Sequence, residues 1–133
     1  MVASDAARDA IVGFWRLVSY EDRQSEAQPW TQTFGEQPRG IAVYHRSGMI
    51  SMQVFADPVS ASIADHVGYI GTFSLREVHP DADGFSGVLE HNIQSASDRE
   101  LLAEDAARPF TVSGAQLMLG DGRTWRRMFE RIF

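Results

Sequence analysis

The stretch GIAVYHRSGMISMQVF, residues 40–55, contains the sequence pattern that is most informative about the fold. Two runs rich in aromatic and β-branched residues flank the dipeptide Ser47-Gly48, a pattern typical of a tight turn between antiparallel strands. Comparable Gly dipeptides stand at Asp83-Gly84, Ser113-Gly114 and Asp121-Gly122. The chain therefore reads as a series of β-hairpins.

Outward from residues 40–55, strand-like runs follow one another with little helix between them. We predict strands at about residues 14–23, 29–34, 40–46, 49–55, 67–78, 86–95, 109–113, 115–120 and 123–132. Short strands joined by tight turns specify an all-β antiparallel meander rather than alternating β and α units. Such a meander closes as a barrel or packs as a sandwich.

The 133 residues suit a single domain, residues 1–133, large enough to bury about two thirds of its unfolded surface. Residues 1–12 predict a helical segment, with Ser4 as its capping residue. Residues 58–66 form a second helical candidate between two hairpins, where a short helix would cover a barrel mouth.

Composition excludes several function classes. The chain has no cysteine, and all 12 basic residues are arginine, so thiolate, Schiff-base lysine and P-loop lysine chemistry are absent. The hydrolase, zincin, NTPase and dinucleotide motifs are also missing, and the four histidines are too dispersed to form a local metal motif. We therefore expect no cofactor and no metal.

Charge and hydropathy bear on partners and location. The net charge of −6 opposes binding to nucleic acid, although arginines alternate with aromatic residues in the last strand. No run approaches the roughly 20 apolar residues of a membrane span, and the first residues do not resemble a signal peptide. We expect a cytoplasmic protein without a membrane or nucleic-acid partner, and keep a homodimer as an open alternative.

Several linked motifs resemble the bacterial and fungal lipocalin-like domain family. They are Gly13-Phe14-Trp15 on the first strand, residues 34–40 (FGEQPRG), Tyr44, Gly48, Ser51-Met52-Gln53, Gly71-Thr72-Phe73 and Arg131 on the last strand. The resemblance extends from about Ile11 to Ile132. It implies an up-and-down lipocalin-like barrel with an internal pocket, in which Gly13, Trp15 and Arg131 are structural residues.

The faces of the strands follow from the turns. A two-residue turn at Ser47-Gly48 would pair His45 with Ile50 and Val43 with Met52, which points all four side chains inward. The same alternation places further residues inside the barrel. These are Trp15, Leu17, Ser19, Glu21, Ile41, Val54, Tyr69, Gly71, Phe73, Leu75, Leu89, His91, Ile93, Leu117, Leu119, Arg126, Met128 and Ile132.

Seven of these side chains are the candidate ligand-binding residues: Val43, His45, Met52, Tyr69, Phe73, His91 and Arg126. Imidazoles beside an apolar cavity can hold a ligand oxygen or transfer a proton, so His45 and His91 would be catalytic in an enzyme. Each has an alternative role as a hydrogen-bonded core histidine. Arg126 and Glu21 are alternatively rim charges, and Tyr69 and Phe73 are alternatively barrel filling.

The sequence thus supports three functions. The first is a carrier that binds a small hydrophobic or amphipathic molecule in the lumen. The second is a cofactor-independent cyclase or isomerase of secondary metabolism that uses the same cavity. The third is a filled barrel that associates with other proteins through its surface. Whether the protein is an enzyme stays open, because the fold hosts both binding and catalysis.

Overall fold

Nine strands and one N-terminal helix make up the computed structural model, which describes residues 3–56, 66–103 and 106–133. The elements are α1 (Ala3–Ile11), β1 (Gly13–Asp22), β2 (Thr31–Gln32), β3 (Arg39–Tyr44), β4 (Met49–Phe55), β5 (His66–Pro80), β6 (Phe85–Ala96), a 3-10 helix (Arg99–Ala103), β7 (Ala107–Ser113), β8 (Gln116–Leu119) and β9 (Trp125–Arg131). The strand predictions are confirmed to within a few residues, except that β2 is much shorter than predicted. The helix predicted at residues 58–66 lies almost wholly outside the described residues.

Each strand from β3 to β9 pairs antiparallel with the next along the chain, and β1 pairs with both β3 and β9. This closes an eight-stranded antiparallel barrel, so the predicted lipocalin-like all-β fold is confirmed. The two-residue strand β2 adds to the end of β1. Within the described part of the chain, no helix is long and apolar enough to span a membrane.

Helix α1 covers one end of the barrel with its buried residue Ile11. The indole of Trp15 is fully buried and donates a 2.8 Å hydrogen bond to the carbonyl of Ile11. The guanidinium of Arg131 stacks over the Trp15 ring at 4.4 Å and donates to the carbonyls of Ala10 and Val12. The contact that the sequence predicts between Arg131 and Trp15 is therefore confirmed, and it ties α1 to the first and last strands.

The hairpin between β3 and β4 differs from its prediction by one residue. Tyr44, not His45, pairs with Ile50, because the amide and carbonyl of His45 already bond to Met49 and Gly48 around a three-residue loop. Gly48 has a φ of 99°, a conformation that glycine adopts readily in such loops. A shift of one residue exchanges the two faces of a strand. The inward placement predicted for Val43 and His45 is therefore wrong, and Ala42 and Tyr44 point inward.

A second register shift lies within β1, where its pairing with β9 is interrupted by a bulge. A bulge between Leu17 and Ser19 changes which alternate residues face the lumen. Tyr20 and Asp22 line the interior instead of Ser19 and Glu21. The inward placement predicted for Glu21 is therefore wrong.

The β8–β9 loop also changes which residues of the following strand, β9, face the lumen. Leu119 pairs with Arg127 and Leu117 with Phe129, so Arg127 and Phe129 line the interior and the predictions for Arg126 and Met128 are wrong. The physical reason is Asp121. Its carboxylate accepts hydrogen bonds from the amides of residues 123, 124 and 125, which makes the loop longer than the two-residue turn assumed from Asp121-Gly122.

Candidate functional site

A cavity of about 1130 Å³ occupies the half of the barrel away from α1 and is partly open to solvent. It extends to the loops that join β1 to β2 and β8 to β9. Its buried apolar wall comes from alternate residues of β4, β8 and β9, namely Met52, Val54, Leu119 and Phe129. A filled barrel would lack space of this size, so the lumen meets the main structural requirement for a small-molecule site.

Four charged side chains of the described residues line the same cavity: Asp22, Arg23, Arg108 and Arg127. Arg127 donates to the Asp22 carboxylate at 3.1 Å and to the carbonyl of Glu21 at 2.9 Å. Its guanidinium also lies 3.5 Å from the centre of the Tyr20 ring. Arg127 is thus held by an ion pair, a carbonyl and an aromatic face, and its side chain is mostly buried.

Two tyrosines bracket the buried imidazole of His91. The Tyr44 hydroxyl lies 2.8 Å from Nε2 of His91, and the Tyr69 hydroxyl lies 2.9 Å from Nδ1. Strand pairing explains the arrangement, since His91 on β6 lies opposite Phe73 on β5, and the Phe73 ring packs edge-on against Tyr44 at 5.1 Å. Tyr69 lines the cavity, whereas His91 lies behind it.

Hydrogen-bond accounting assigns the protons in this Tyr44–His91–Tyr69 cluster. A neutral imidazole has one donor nitrogen and one acceptor nitrogen. Tyr44 is buried with His91 as the hydrogen-bond partner of its hydroxyl, so that hydroxyl must donate to Nε2 to satisfy its hydrogen. Nδ1–H then donates to the Tyr69 oxygen, and the hydroxyl hydrogen of Tyr69 is directed to an acceptor other than His91.

Burial keeps this cluster neutral. The pKa of His91 is lowered to about 3, mainly by burial and to a smaller extent by the nearby positive charge of Arg108. Burial also raises the pKa of Tyr44 well above its ordinary value, with a further increase from Tyr69. Near neutral pH, His91 is therefore an uncharged hydrogen-bond relay rather than a charged group.

Of the seven candidate ligand-binding residues, Met52 and Tyr69 line the cavity. Phe73 and His91 are buried in the core next to it. The other three, Val43, His45 and Arg126, do not line it.

His45 is exposed in its turn, where Nδ1 lies 2.8 Å from the Ser47 hydroxyl and accepts from the Ser47 amide. His45 lies on the outside of the barrel and His91 is buried inside it, so the two imidazoles do not share the lumen. Arg126 instead donates to Glu21 at 2.8 Å and stacks at 4.1 Å on Trp30. The predicted pair of lumen charges, Glu21 and Arg126, is thus replaced by the next residues along both strands.

Sequence reasoning missed Tyr44, Arg108 and the Asp22–Arg127 pair. For Arg108 the signal was present, because Phe110 and Val112 are apolar at alternate positions on β7 and place Arg108 on the same inward face. The other three were missed because each lies next to a loop or bulge that moves the alternation by one residue. Among the described residues, no group of three potential metal ligands comes together.

Comparisons with known proteins bear on the first part of the chain. No curated protein and no solved structure matched the chain. A family model did match, and the matched segment carries β1 to β4, including Gly13, Trp15 and Tyr44. Residues 12–60 match the model of the lipocalin-like domain, which confirms the family resemblance over that segment.

Proposed function

We propose that this protein binds a small hydrophobic or amphipathic molecule in the lumen of its barrel. The observation that carries the proposal is the cavity of about 1130 Å³, which is as large as the pockets that hold drug-sized ligands. The match to the lipocalin-like domain supports the same function at the level of the family.

The composition of the wall supports an amphipathic ligand. Met52, Leu119 and Phe129 offer apolar surface in the interior, and burial of a ligand's apolar atoms there contributes about 25 cal/mol for each Å² removed from water. Arg108 and Tyr69 line the same space with polar groups. A molecule with one apolar part and one polar end matches both.

A fluorescence titration with N-phenyl-1-naphthylamine, a neutral apolar probe, tests the proposal. The wild-type protein should bind it with a stoichiometry near one per chain. Val67→Trp places a large side chain into the cavity from β5 and should weaken binding at least tenfold. Ile70→Trp on the exposed face of the same strand is the matched control and should leave affinity unchanged.

A cooperative thermal unfolding transition in each variant is the control that the variant is folded. Absence of probe binding to the wild type would contradict the proposal. Equal weakening in both variants would contradict the lumen as the binding site.

A cyclase or isomerase is the second candidate, and the Tyr44–His91–Tyr69 cluster is the observation that favours it. Tyr69 lines the cavity and its oxygen accepts from His91, so this hydroxyl is the described group of the cluster through which a proton could pass to a bound molecule. His45 is excluded from this role by its position on the outside.

Recovered cargo separates the two candidates. Protein purified without denaturing solvent is examined by native mass spectrometry, and the released molecule is incubated with fresh wild-type protein and with Tyr69→Phe. A carrier returns the molecule unchanged from both. If the protein is an enzyme, the wild type converts a precursor present in the source extract into the recovered molecule. The Tyr69→Phe variant then loses this conversion but still binds the molecule.

A further inference from the structure

Two Asp-Gly dipeptides lie in loops of the barrel. Asp83-Gly84 joins β5 to β6, and Asp121-Gly122 joins β8 to β9. In such a dipeptide the backbone nitrogen of the glycine can attack the side-chain carboxyl carbon of the aspartate and close a ring, since both groups belong to one chain and glycine has no Cβ in the way. Whether the ring forms depends on how the fold holds these two groups.

Both reacting groups are engaged at Asp121-Gly122. The Asp121 carboxylate accepts hydrogen bonds from the amides of residues 123, 124 and 125 at 2.8, 2.7 and 3.1 Å and from the Thr124 hydroxyl at 2.7 Å. The Gly122 amide donates to the carbonyl of Trp125 at 3.2 Å. Burial would raise the pKa of Asp121, but the hydrogen bonds to its carboxylate hold that pKa well below its ordinary value, so the protonated acid that reacts is scarce. The fold therefore protects this dipeptide.

The same groups are not engaged at Asp83-Gly84, where Asp83 is exposed. Within residues 3–56, 66–103 and 106–133, the Asp83 carboxylate accepts no hydrogen bond and the Gly84 amide donates none. The loop is closed through other atoms. The Asp81 amide donates to the Gly84 carbonyl at 2.9 Å, and the Asp83 amide donates to the Asp81 carboxylate at 3.3 Å. The carboxyl carbon of Asp83 and the nitrogen of Gly84 therefore remain available to each other.

Packing against β7 requires glycine at position 84. A Cβ there would clash with the carbonyl oxygen of Val112 and would lie 3.0 Å from the Cα of Ser113. A larger residue, which would slow ring closure, does not fit in this space. The reactive dipeptide is thus a consequence of how the β5–β6 loop meets the neighbouring strand.

We propose that Asp83 is a site of spontaneous isoaspartate formation, and that the hydrogen bonds of Asp121 protect the second Asp-Gly dipeptide of the same chain. This inference does not depend on the proposed ligand-binding function.

The reaction releases one water molecule and then takes one up. A bond forms between the Gly84 nitrogen and the Asp83 carboxyl carbon, and the carboxyl hydroxyl leaves with the amide proton as water. Water then opens the resulting succinimide. Attack at the side-chain carbonyl restores aspartate, whereas attack at the main-chain carbonyl leaves the chain running through the former side-chain carboxyl carbon, which is isoaspartate. Nothing is oxidised or reduced, and water is the one co-reactant.

Isoaspartate adds one methylene group to the main chain of the β5–β6 loop. This loop follows the pair formed by Pro80 and Phe85, at the opposite end of β5 from Val67 and Tyr69, which line the cavity. The modification should therefore loosen the hairpin near Pro80 and leave the lining of the cavity in place.

The test is to age the folded protein at mildly acidic pH and physiological temperature, beside an equal sample in concentrated urea. Trypsin places the two dipeptides in different peptides, because Arg99 lies between them. Isoaspartate in each peptide is quantified by methyl transfer with protein isoaspartate methyltransferase, and electron-transfer fragmentation locates the modified residue.

In the folded protein, isoaspartate should form at Asp83 at least about tenfold faster than at Asp121, since one hydrogen bond to a charged group is worth about that factor. In urea the two rates should lie within about threefold of each other, because the hydrogen bonds of the β8–β9 loop are lost. Asp83→Glu is the matched control, because it keeps the charge but would have to close a larger ring. This variant should show no methyl transfer at position 83 and an unchanged rate at Asp121.

Three outcomes overturn the inference. Equal rates at Asp83 and Asp121 in the folded protein would show that the hydrogen bonds of Asp121 give no protection. Isoaspartate at Asp83 in urea but not in the folded protein would show that the β5–β6 loop holds the reacting groups apart. Its absence at Asp83 under both conditions would show that this dipeptide is not a modification site.

Discussion

The hydroxyl of Tyr69 lies 2.9 Å from Nδ1 of His91, and this hydrogen bond joins the cavity to the buried core. His91 is 1% exposed and does not line the cavity, so a ligand meets Tyr69 and not the imidazole. The imidazole sets which way the Tyr69 hydroxyl donates. That relationship makes His91 a positioning residue for the proposed site.

The first prediction concerns pH. The pKa of His91 is about 3 in the folded protein and about 6.5 in the unfolded chain, so the unfolded state binds more protons between these values. Above about pH 6.5 the neutral His91 therefore does not lower the free energy of unfolding. Below that pH the free energy of unfolding falls as the pH is lowered toward 3. The slope from this one group approaches about 1.4 kcal/mol per pH unit.

Urea denaturation between pH 7 and 4.5 measures this slope, with His91→Gln as the comparison. The variant titrates no group at this position, and its stability should change less over the same interval. Identical pH profiles for the two proteins would show that His91 is not held neutral by burial.

The second prediction compares the two tyrosines of the cluster. Tyr44→Phe leaves Nε2 of His91 without its partner in a fully buried position, which should lower the free energy of unfolding by about 2 kcal/mol. Tyr69→Phe should cost less than about 1 kcal/mol, because water in the adjoining cavity can reach Nδ1. Chemical denaturation of both variants measures the difference. A larger loss for Tyr69→Phe would contradict the access of cavity water to Nδ1 of His91.

The third prediction concerns the β8–β9 loop. Burial alone would raise the pKa of Asp121, but hydrogen bonds from Thr124, Arg123 and Trp125 outweigh it and hold that pKa well below its ordinary value. Asp121→Ala should therefore destabilise the protein by about 1 kcal/mol, since the exposed site limits the effect. Asp121→Asn keeps an acceptor oxygen and should cost less.

Thermal unfolding of the two variants tests this loop. If Asp121→Ala were as stable as the wild type, the carboxylate would not be what sets the length of the loop and the register of β9.

The fourth prediction concerns Gly13, whose φ is 147°. A Cβ at this position would meet Nη1 of Arg131 and would lie 2.5 Å from the carbonyl oxygen of Phe133. Gly13→Ala should lower the free energy of unfolding by about 2–4 kcal/mol through backbone strain and this clash. Gly114 is the control, because its φ is 56° and a Cβ there has open space.

Gly114→Ala should therefore cost only about 1 kcal/mol, the backbone effect alone. Urea denaturation of both variants gives the comparison. Equal losses would show that the Arg131 contact adds nothing to the requirement for glycine at position 13.

The strands and the closing contact of the barrel were predictable because they depend on local pattern. Alternation of apolar residues and the Gly dipeptides mark the strands, and Trp15 and Arg131 carry the family resemblance. The length of β2 was overestimated, because residues 29–34 have a strand-like pattern but pair with β1 only at Thr31 and Gln32.

The candidate site was harder to predict because a site depends on which face each residue occupies. His91, Tyr69 and Met52 were placed correctly, as their strands have an uninterrupted pattern in the stretch concerned. Val43, His45 and Arg126 were placed on the wrong face, since each lies next to a loop longer than its dipeptide indicated.

The residue pattern was enough to predict an all-β antiparallel fold, a buried Trp15 and an inward His91, and the family resemblance implied a barrel. The folded structure was needed to show that Tyr44 rather than His45 contacts His91, and that Asp22 and Arg127 rather than Glu21 and Arg126 line the lumen. The physical reason is the two-residue period of a β-strand. One additional residue in a loop or bulge leaves every strand in place and reverses which side chains face the cavity.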